Sequence, residues 1–191
     1  MIQRIRGNKA LKPYLHQEIE DAGVAVEVEP SLTADDYIGI KVDDYYMGLK
    51  LQGETPKAVD FIIPVDCGLH WYALYILEMK DTDSYTRKDI HEKFDTAMNR
   101  FLQEDFKDIF LDDRYRYCSI KLYLVKKHKQ AEKYSSYKEY VEIYNKIHAK
   151  DTLALDQKLS DKIYTFRNWL VQIEREFPPN PLISKMKMRE K

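Results

Sequence analysis

The sequence predicts an α+β fold, a mixed central β-sheet flanked by helices, and three observations carry that prediction. Short runs rich in Val, Ile and Tyr, broken by Pro30, Gly53 and the turn Asp66-Cys67-Gly68-Leu69, fill positions 24–80. A long apolar stripe at helical spacing follows over 86–106, and a strand-like run returns at 116–126. Two further helical patterns then close the chain near 136–149 and 155–177.

Taken in order, Leu11, Tyr14, Leu15, Ile19 and Ala22 recur at helical spacing across Asn8–Ala22, with Gly23 as a C-terminal stop. Pro13 belongs in the first turn, which moves the start toward Lys12. Strands are expected at Val24–Val28, Tyr37–Val42, Tyr45–Leu51, Ala58–Val65 and His70–Lys80. Their connections are too short for helical crossovers, so they form largely an antiparallel meander. In the last strand Tyr72, Leu74 and Ile76 alternate with Ala73, Tyr75 and Leu77, so both faces are apolar and the strand belongs in the middle of a covered sheet.

Thr86 is the expected N-cap of the long helix, striped by Ile90, Phe94, Ala97, Phe101 and Phe106. Arg116–Lys126 is strand again. Of the two closing helices, Leu155–Phe177 is striped by Leu159, Ile163, Phe166, Leu170 and Ile173 and stopped by Pro178-Pro179, with a frayed basic tail beyond. Residues 1–130 thus make a core, and 131–191 a helical extension that packs on it or forms a dimer interface.

At 191 residues, 44% hydrophobic and 33% charged, the chain has the composition of a folded protein of about one domain. No run has the apolar length of a membrane span, and Met1–Arg6 lacks the apolar block of a signal peptide, so a cytoplasmic location without membrane association is expected. Cys67 and Cys118 give neither a disulfide framework nor a zinc site and read as ordinary thiols. A net charge of -1 excludes a protein that coats nucleic acid nonspecifically, so any DNA site must be a local patch.

Acid-x-Lys occurs three times, about as often as chance provides, so position must decide which one matters. Asp105-Phe106-Lys107 and Asp156-Gln157-Lys158 fall in predicted helices, where residues two apart point in different directions. Glu78-Met79-Lys80 ends an apolar strand, which projects Glu78 and Lys80 from one face about 7 Å apart. Asp60 heads the preceding strand, which runs antiparallel to it. Setting Asp60 opposite Glu78 requires a loop centred on Leu69, whereas a tighter turn at Cys67-Gly68 sets Asp60 opposite Tyr75. A bulge or longer loop is therefore a specific demand of a shared Asp60/Glu78 site.

This order of Asp60, apolar strand, Glu78-Met79-Lys80, long helix and strand resembles the core of the PD-(D/E)XK nucleases, which include restriction endonucleases and Holliday-junction resolvases. The resemblance spans roughly Asn8–Val125, with Val59 where the family name has Pro. It implies a restriction-endonuclease-like core in which Asp60, Glu78 and the Met79 backbone carbonyl hold magnesium, an ion suited to hard oxygen ligands. It also implies that Lys80 orients or helps deprotonate the attacking water and neutralises the phosphate. A further acid often comes from the first helix in this family; Glu18 and Glu20 are the candidates and Glu18 is preferred. Asp66 is an alternative metal ligand under another register.

Basic residues suited to DNA are Arg87 and Lys88 at the long helix's start and Arg114 and Arg116 before the next strand, whereas the run Lys126-Lys127-His128-Lys129 after it reads as a solvated strand exit. His70, Trp71, His91 and the tyrosines Tyr134, Tyr137, Tyr140 and Tyr144 read as packing or surface residues. The expected activity is magnesium-dependent cleavage of double-stranded DNA by a type II restriction endonuclease acting as a homodimer. A junction resolvase or repair nuclease of the same superfamily, and a noncatalytic interaction module, are the alternatives.

Overall fold

The computed structural model describes residues 1–49, 53–81, 85–127, 136–147 and 159–186. The chain opens with helix α1 (Ile2–Gly7), three two-residue strands, β1 (Leu15–His16), β2 (Glu20–Asp21) and β3 (Val24–Ala25), then β4 (Gly39–Lys41) and helix α2 (Val42–Gly48). Strands β5 (Phe61–Gly68) and β6 (Trp71–Lys80) precede helices α3 (Arg87–Asp95) and α4 (Lys107–Phe110) and strand β7 (Arg116–Lys126). Helix α5 (Tyr137–Ile147) and strands β8 (Tyr164–Phe166), β9 (Trp169–Val171) and β10 (Ile173–Glu176) complete it.

Six strands form one mixed sheet in the order β1-β4-β5-β6-β7-β10. The β1–β4, β4–β5 and β5–β6 pairings are antiparallel, as a meander requires. β7 and β10 then add in parallel. The doubly apolar β6 lies inside this sheet and feeds two cores. Tyr72, Leu74 and Ile76 pack on the face that holds Ile90, Phe94, Phe101 and Phe110. Ala73, Tyr75, Leu77 and Met79 pack on the other, with Val24, Tyr37 and Ile183.

The crossover from β6 to β7 is the long helix. The Thr86 side chain accepts a hydrogen bond from the Asp89 N–H, the cap expected of it. Ile90 and Phe94 are buried, and the helix continues over Thr96–Asp105 with π winding that buries Ala97, Met98, Phe101 and Leu102. Among the described residues, no helix is long and apolar enough to cross a membrane.

Three sequence-based expectations are corrected. Asn8–Ala22 is not a helix: a 3₁₀ turn at Lys12–Tyr14 leads into β1, which pairs with β4. Gly23 is not a helix stop, because Ala22 and Gly23, at φ 48° and 72°, make the two-residue turn of the β2–β3 hairpin. Tyr45–Leu51 is not a strand as far as it is described. Val42, Tyr45, Tyr46 and Leu49 face the core at spacings of three, four and seven, the period of α2, which outweighs the strand preference of paired tyrosines.

A further correction concerns the C-terminal extension, which is not wholly helical. In place of a helix to Phe177 the described residues form β8, β9 and β10, and β10 extends the central sheet alongside β7. Of the expected stripe, Ile163 and Leu170 are 56% and 72% exposed. Leu159, Phe166 and Ile173 of that stripe are buried, but Phe166 is buried together with Tyr164 and Ile173 together with Val171, two apart as strands dictate. Residues 155–158 of that expected helix, including Asp156-Gln157-Lys158, and the tail from 187 lie outside the described residues. The helix expected at 136–149 is present as α5.

Candidate active site

Charged residues gather at one end of the sheet. β4, β6, β7 and β10 run in one direction, so their last residues Lys41, Lys80, Lys126 and Glu176 share that end. Asp60, just before the oppositely directed β5, joins them.

Register decides whether Asp60 meets Glu78. β5 pairs Phe61 with Leu77, Ile62 with Ile76, and so on to Asp66 with Tyr72; Gly68 then pairs with Trp71, leaving Cys67 as a bulge. Leu69 and His70, at φ 50° and 63°, close the turn. One step beyond Phe61 and Leu77, this register brings Asp60 to Glu78, with the bulge that such a pairing demands. The Met79 N–H donates to Asp60 Oδ2 at 2.6 Å. Within a strand the N–H and C=O of one residue point to the same neighbour, so the Met79 carbonyl also faces the Asp60 side.

Glu78 is fully buried, and its Oε1 accepts from two ammonium groups, Lys80 Nζ and Lys93 Nζ, each at 2.6 Å. Lys80 comes from the same strand and Lys93 from α3, on the helical turn between the buried anchors Ile90 and Phe94. The second oxygen, Oε2, is buried and has no hydrogen-bond partner among the described residues. An ionised oxygen in that position lacks the compensation that burial normally demands, which makes it a place for a cation or a water.

A second group of acids adjoins Asp60. Asp21 from β2 and Asp43 from α2 each offer an oxygen such that these and an oxygen of Asp60 all lie within 4.8 Å of one another. Lys41 Nζ sits among them, 2.7 Å from Asp21 Oδ1, 3.2 Å from Asp43 Oδ1 and 3.9 Å from Asp60 Oδ1. Asp60 is therefore shared between this triad and the pair it makes with Glu78.

Burial, reinforced by the charge of Glu78, pushes the Asp60 carboxyl up to about 7. Asp43 is also raised, chiefly by burial. For Lys80 burial acts downward, but the Glu78 carboxylate outweighs it and holds the ammonium above the ordinary lysine value. The same balance, with Asp21, Asp60 and Asp43 as the acids, raises Lys41. Lys80 is thus a fixed cation suited to orienting water and neutralising phosphate, whereas Asp60 is the group poised to change protonation near neutral pH.

The other expected site residues lie elsewhere. Glu18 is exposed, and its charge acts on Tyr37, which bridges to Val65 far along β5 from Asp60. The acid that the N-terminal segment brings to Asp60 is Asp21, on a hairpin and not on a helix. Asp66 belongs to the turn, accepting from the Gly68 N–H and the Tyr72 hydroxyl. Arg114 pairs with Asp112, and Arg116 stacks over Trp71. Because β6 and β7 are parallel, Trp71 and Arg116 are separated from Glu78 by most of the length of β6, roughly 23 Å along the strand. Arg87 binds Asp161 and His91, while Lys88 is largely exposed beside Glu92.

Lys126 pairs in register with Lys80 and Lys127 donates to the Gly23 carbonyl, at the same sheet end as Glu78; His128 and Lys129 lie outside the described residues. His91 meets the Tyr164 hydroxyl, and Tyr137 and Tyr140 pack with Phe177, in line with packing roles. Tyr134 and the Tyr144 side chain lie outside the described residues. Asp21, Lys41, Asp43 and Lys93 carried no signal in the sequence as site residues. Three of them come from segments whose structure local patterns misassign or that join the site only through tertiary pairing. Lys93 was accessible in principle, one residue before a buried helix position. Compared with protein-family models, with curated proteins and with solved structures, the chain matches none.

Proposed function

We propose that this chain is a magnesium-dependent DNA endonuclease of the PD-(D/E)XK type. The single observation that carries the reading is Glu78: a fully buried carboxylate at a strand end, set beside Asp60, clamped through one oxygen by Lys80 and left unpartnered at the other. The order of three antiparallel strands, helical crossover and parallel strand supports it as well.

The donor set fits magnesium, since it offers carboxylate and carbonyl oxygens with no thiol or imidazole among them. Asp60, Glu78 through Oε2 and the Met79 carbonyl would hold the ion, which supplies charge stabilisation to the attacked phosphate. Lys80 stays protonated, orients the water and offsets phosphate charge. Lys93 keeps Glu78 aimed. A purely structural ion cluster accounts for the two lysines on Oε1 but leaves the naked Oε2 without a reason.

The substrate in this reading is double-stranded DNA, and a homodimer acting as a type II restriction endonuclease suits two-strand cutting at a symmetric site. Incubating the chain with supercoiled plasmid and magnesium, with EDTA as control, tests it. Discrete fragments support the restriction reading and smearing a less specific nuclease. Intact plasmid, linear duplex, single strands and junctions alike after magnesium incubation would falsify the nuclease reading altogether.

A further inference from the structure

Strand β6 is flanked by a bulge on each side at almost the same level. In the β5–β6 ladder the extra residue is Cys67, between Asp66 and Gly68; in the β6–β7 ladder it is Cys118, between Tyr117 and Ser119. Both side chains lie against the second core, on the face where β6 presents Ala73, a single methyl group, so the two sulfurs meet above the middle strand at 3.5 Å. Neither cysteine is in a disulfide, and each is half-buried. Met186 packs on the same cluster, and its backbone N–H donates to Cys67 Sγ.

We infer that Cys67 and Cys118, with the Met186 thioether beside them, form a binding site for a soft metal ion, copper(I). A disulfide is out of reach, because the two backbones stand two strand spacings apart, roughly 9.5 Å, whereas a disulfide tolerates about 7 Å between Cα atoms. A bridging ion makes no such demand. Two sulfurs each about 2.3 Å from one ion stand about 3.8–4.0 Å apart at a tetrahedral or trigonal angle, so the present contact need open by only about half an ångström.

The donors select the ion. Two thiolates and a thioether are soft ligands, which favour copper(I) over hard cations. Among the described residues no third Cys, His or carboxylate joins the two sulfurs in a metal-binding group, so the four-ligand shell of a structural zinc site is lacking. The neighbouring carboxylate, Asp66, is committed to the turn through the Gly68 N–H and the Tyr72 hydroxyl. On binding, each thiol gives its proton to water as its sulfur–copper bond forms; two protons leave per copper and no electron is transferred. The ion then clips β5 to β7 across β6. Cys67 lies at the opposite end of β5 from Asp60, so this site is separate from the carboxylates there.

The test titrates copper(I) into the full chain, anaerobically and with ascorbate, against a coloured copper(I) chelator. The expected result is one copper per chain withdrawn from the chelator, a thiolate-to-copper absorption band in the near ultraviolet, a higher melting temperature, and protection of both cysteines from iodoacetamide until the ion is removed. Cys67→Ser and Cys118→Ser should each lose the tight site, and Met186→Leu should weaken it. Two coppers per chain, undiminished binding by either serine variant, or alkylation of both cysteines at the same rate with and without copper overturns the proposal. The alkylation comparison uses the unaltered chain and so decides the matter even where a serine variant does not fold. Zinc bound more tightly than copper(I) overturns the choice of ion, and unchanged affinity in Met186→Leu overturns the place of the thioether. None of these readouts depends on nuclease activity.

Discussion

Lys93 donates to Glu78 across 2.6 Å, to the same oxygen that Lys80 binds, so a helix and a strand share the neutralisation of one buried charge. Removing either lysine leaves the other, and Lys93→Ala should cost about 1–2 kcal/mol. Removing both strands the carboxylate, and Lys80→Ala/Lys93→Ala should cost about 3–5 kcal/mol, more than the separate losses together. Urea denaturation of the four chains in the cycle checks this; additive losses would mean that the two ammonium groups act independently.

Function should separate the same two lysines. Lys80 sits at the mouth of the site and is 24% exposed along its side chain, so it can meet a water and a phosphate. Lys80→Ala should abolish DNA cleavage while sparing DNA binding, and Lys93→Ala should reduce cleavage only in part. Plasmid nicking and gel-shift titration measure the two effects, and retained cleavage by Lys80→Ala removes that residue from the mechanism.

Asp60 sets a pH dependence of known sign. Its folded value near 7 lies above the ordinary aspartate value of 3.8, so between these the folded chain holds a proton that the unfolded chain has lost. Stability without divalent ions should therefore fall as pH rises from about 4 to about 7, by a few kcal/mol at most, and then level. Asp60→Asn removes that contribution and should gain on the wild type at pH values above about 7. Urea midpoints of both chains at acid and alkaline ends of this window give the comparison, and parallel profiles would show that Asp60 ionises normally.

The distribution of this site over the chain explains how much of it sequence could reveal. Asp60, Glu78 and Lys80 are legible because β5 and β6 are adjacent, so strand period brings them to one end of the hairpin; the sequence leaves the register open between two turns, and the bulge at Cys67 decides it. The β6–helix–β7 succession is legible for the same reason, since long runs of period two and 3.6 resist misassignment. Asp21 and Asp43 are not, because their elements are two and seven residues long and owe their form to packing against the sheet. Leu159–Ile173 carries a false helical pattern because a few apolar residues in and before a short hairpin coincide with helical spacing.

In the proposed nuclease reading, the same topology should separate the basic residues by function. Arg114 and Arg116 sit at the start of β7, opposite the end that holds Glu78, and each already has a partner, Asp112 and Trp71 respectively. Arg114→Ala and Arg116→Ala should leave cleavage unchanged. Lys88, exposed in the first turn of the helix that carries Lys93, should act on DNA phosphate, and its alanine variant should weaken binding and lower the salt slope by about one. Binding measured across salt concentrations distinguishes them, and a strong cleavage defect in Arg114→Ala would place the DNA on the other end of the sheet.

Lys41 offers the most direct test of whether the acids beside Asp60 accept a metal. Its ammonium, 8% exposed along the side chain, is the cation that the described structure sets among Asp21, Asp43 and Asp60. Deleting it leaves three carboxylates converging with nothing between them, a loss of about 2–3 kcal/mol, moderated because Asp21 and Asp43 reach solvent. A divalent ion that binds the folded chain alone should restore that stability by mass action. Lys41→Ala should accordingly melt well below the wild type in EDTA and recover in magnesium chloride by more than the wild type gains. Sodium chloride of equal ionic strength should not reproduce the recovery, because screening acts weakly on buried groups. A variant whose melting temperature ignores magnesium would show that these acids are held by lysine alone and that any metal binds only on the Glu78 side of Asp60.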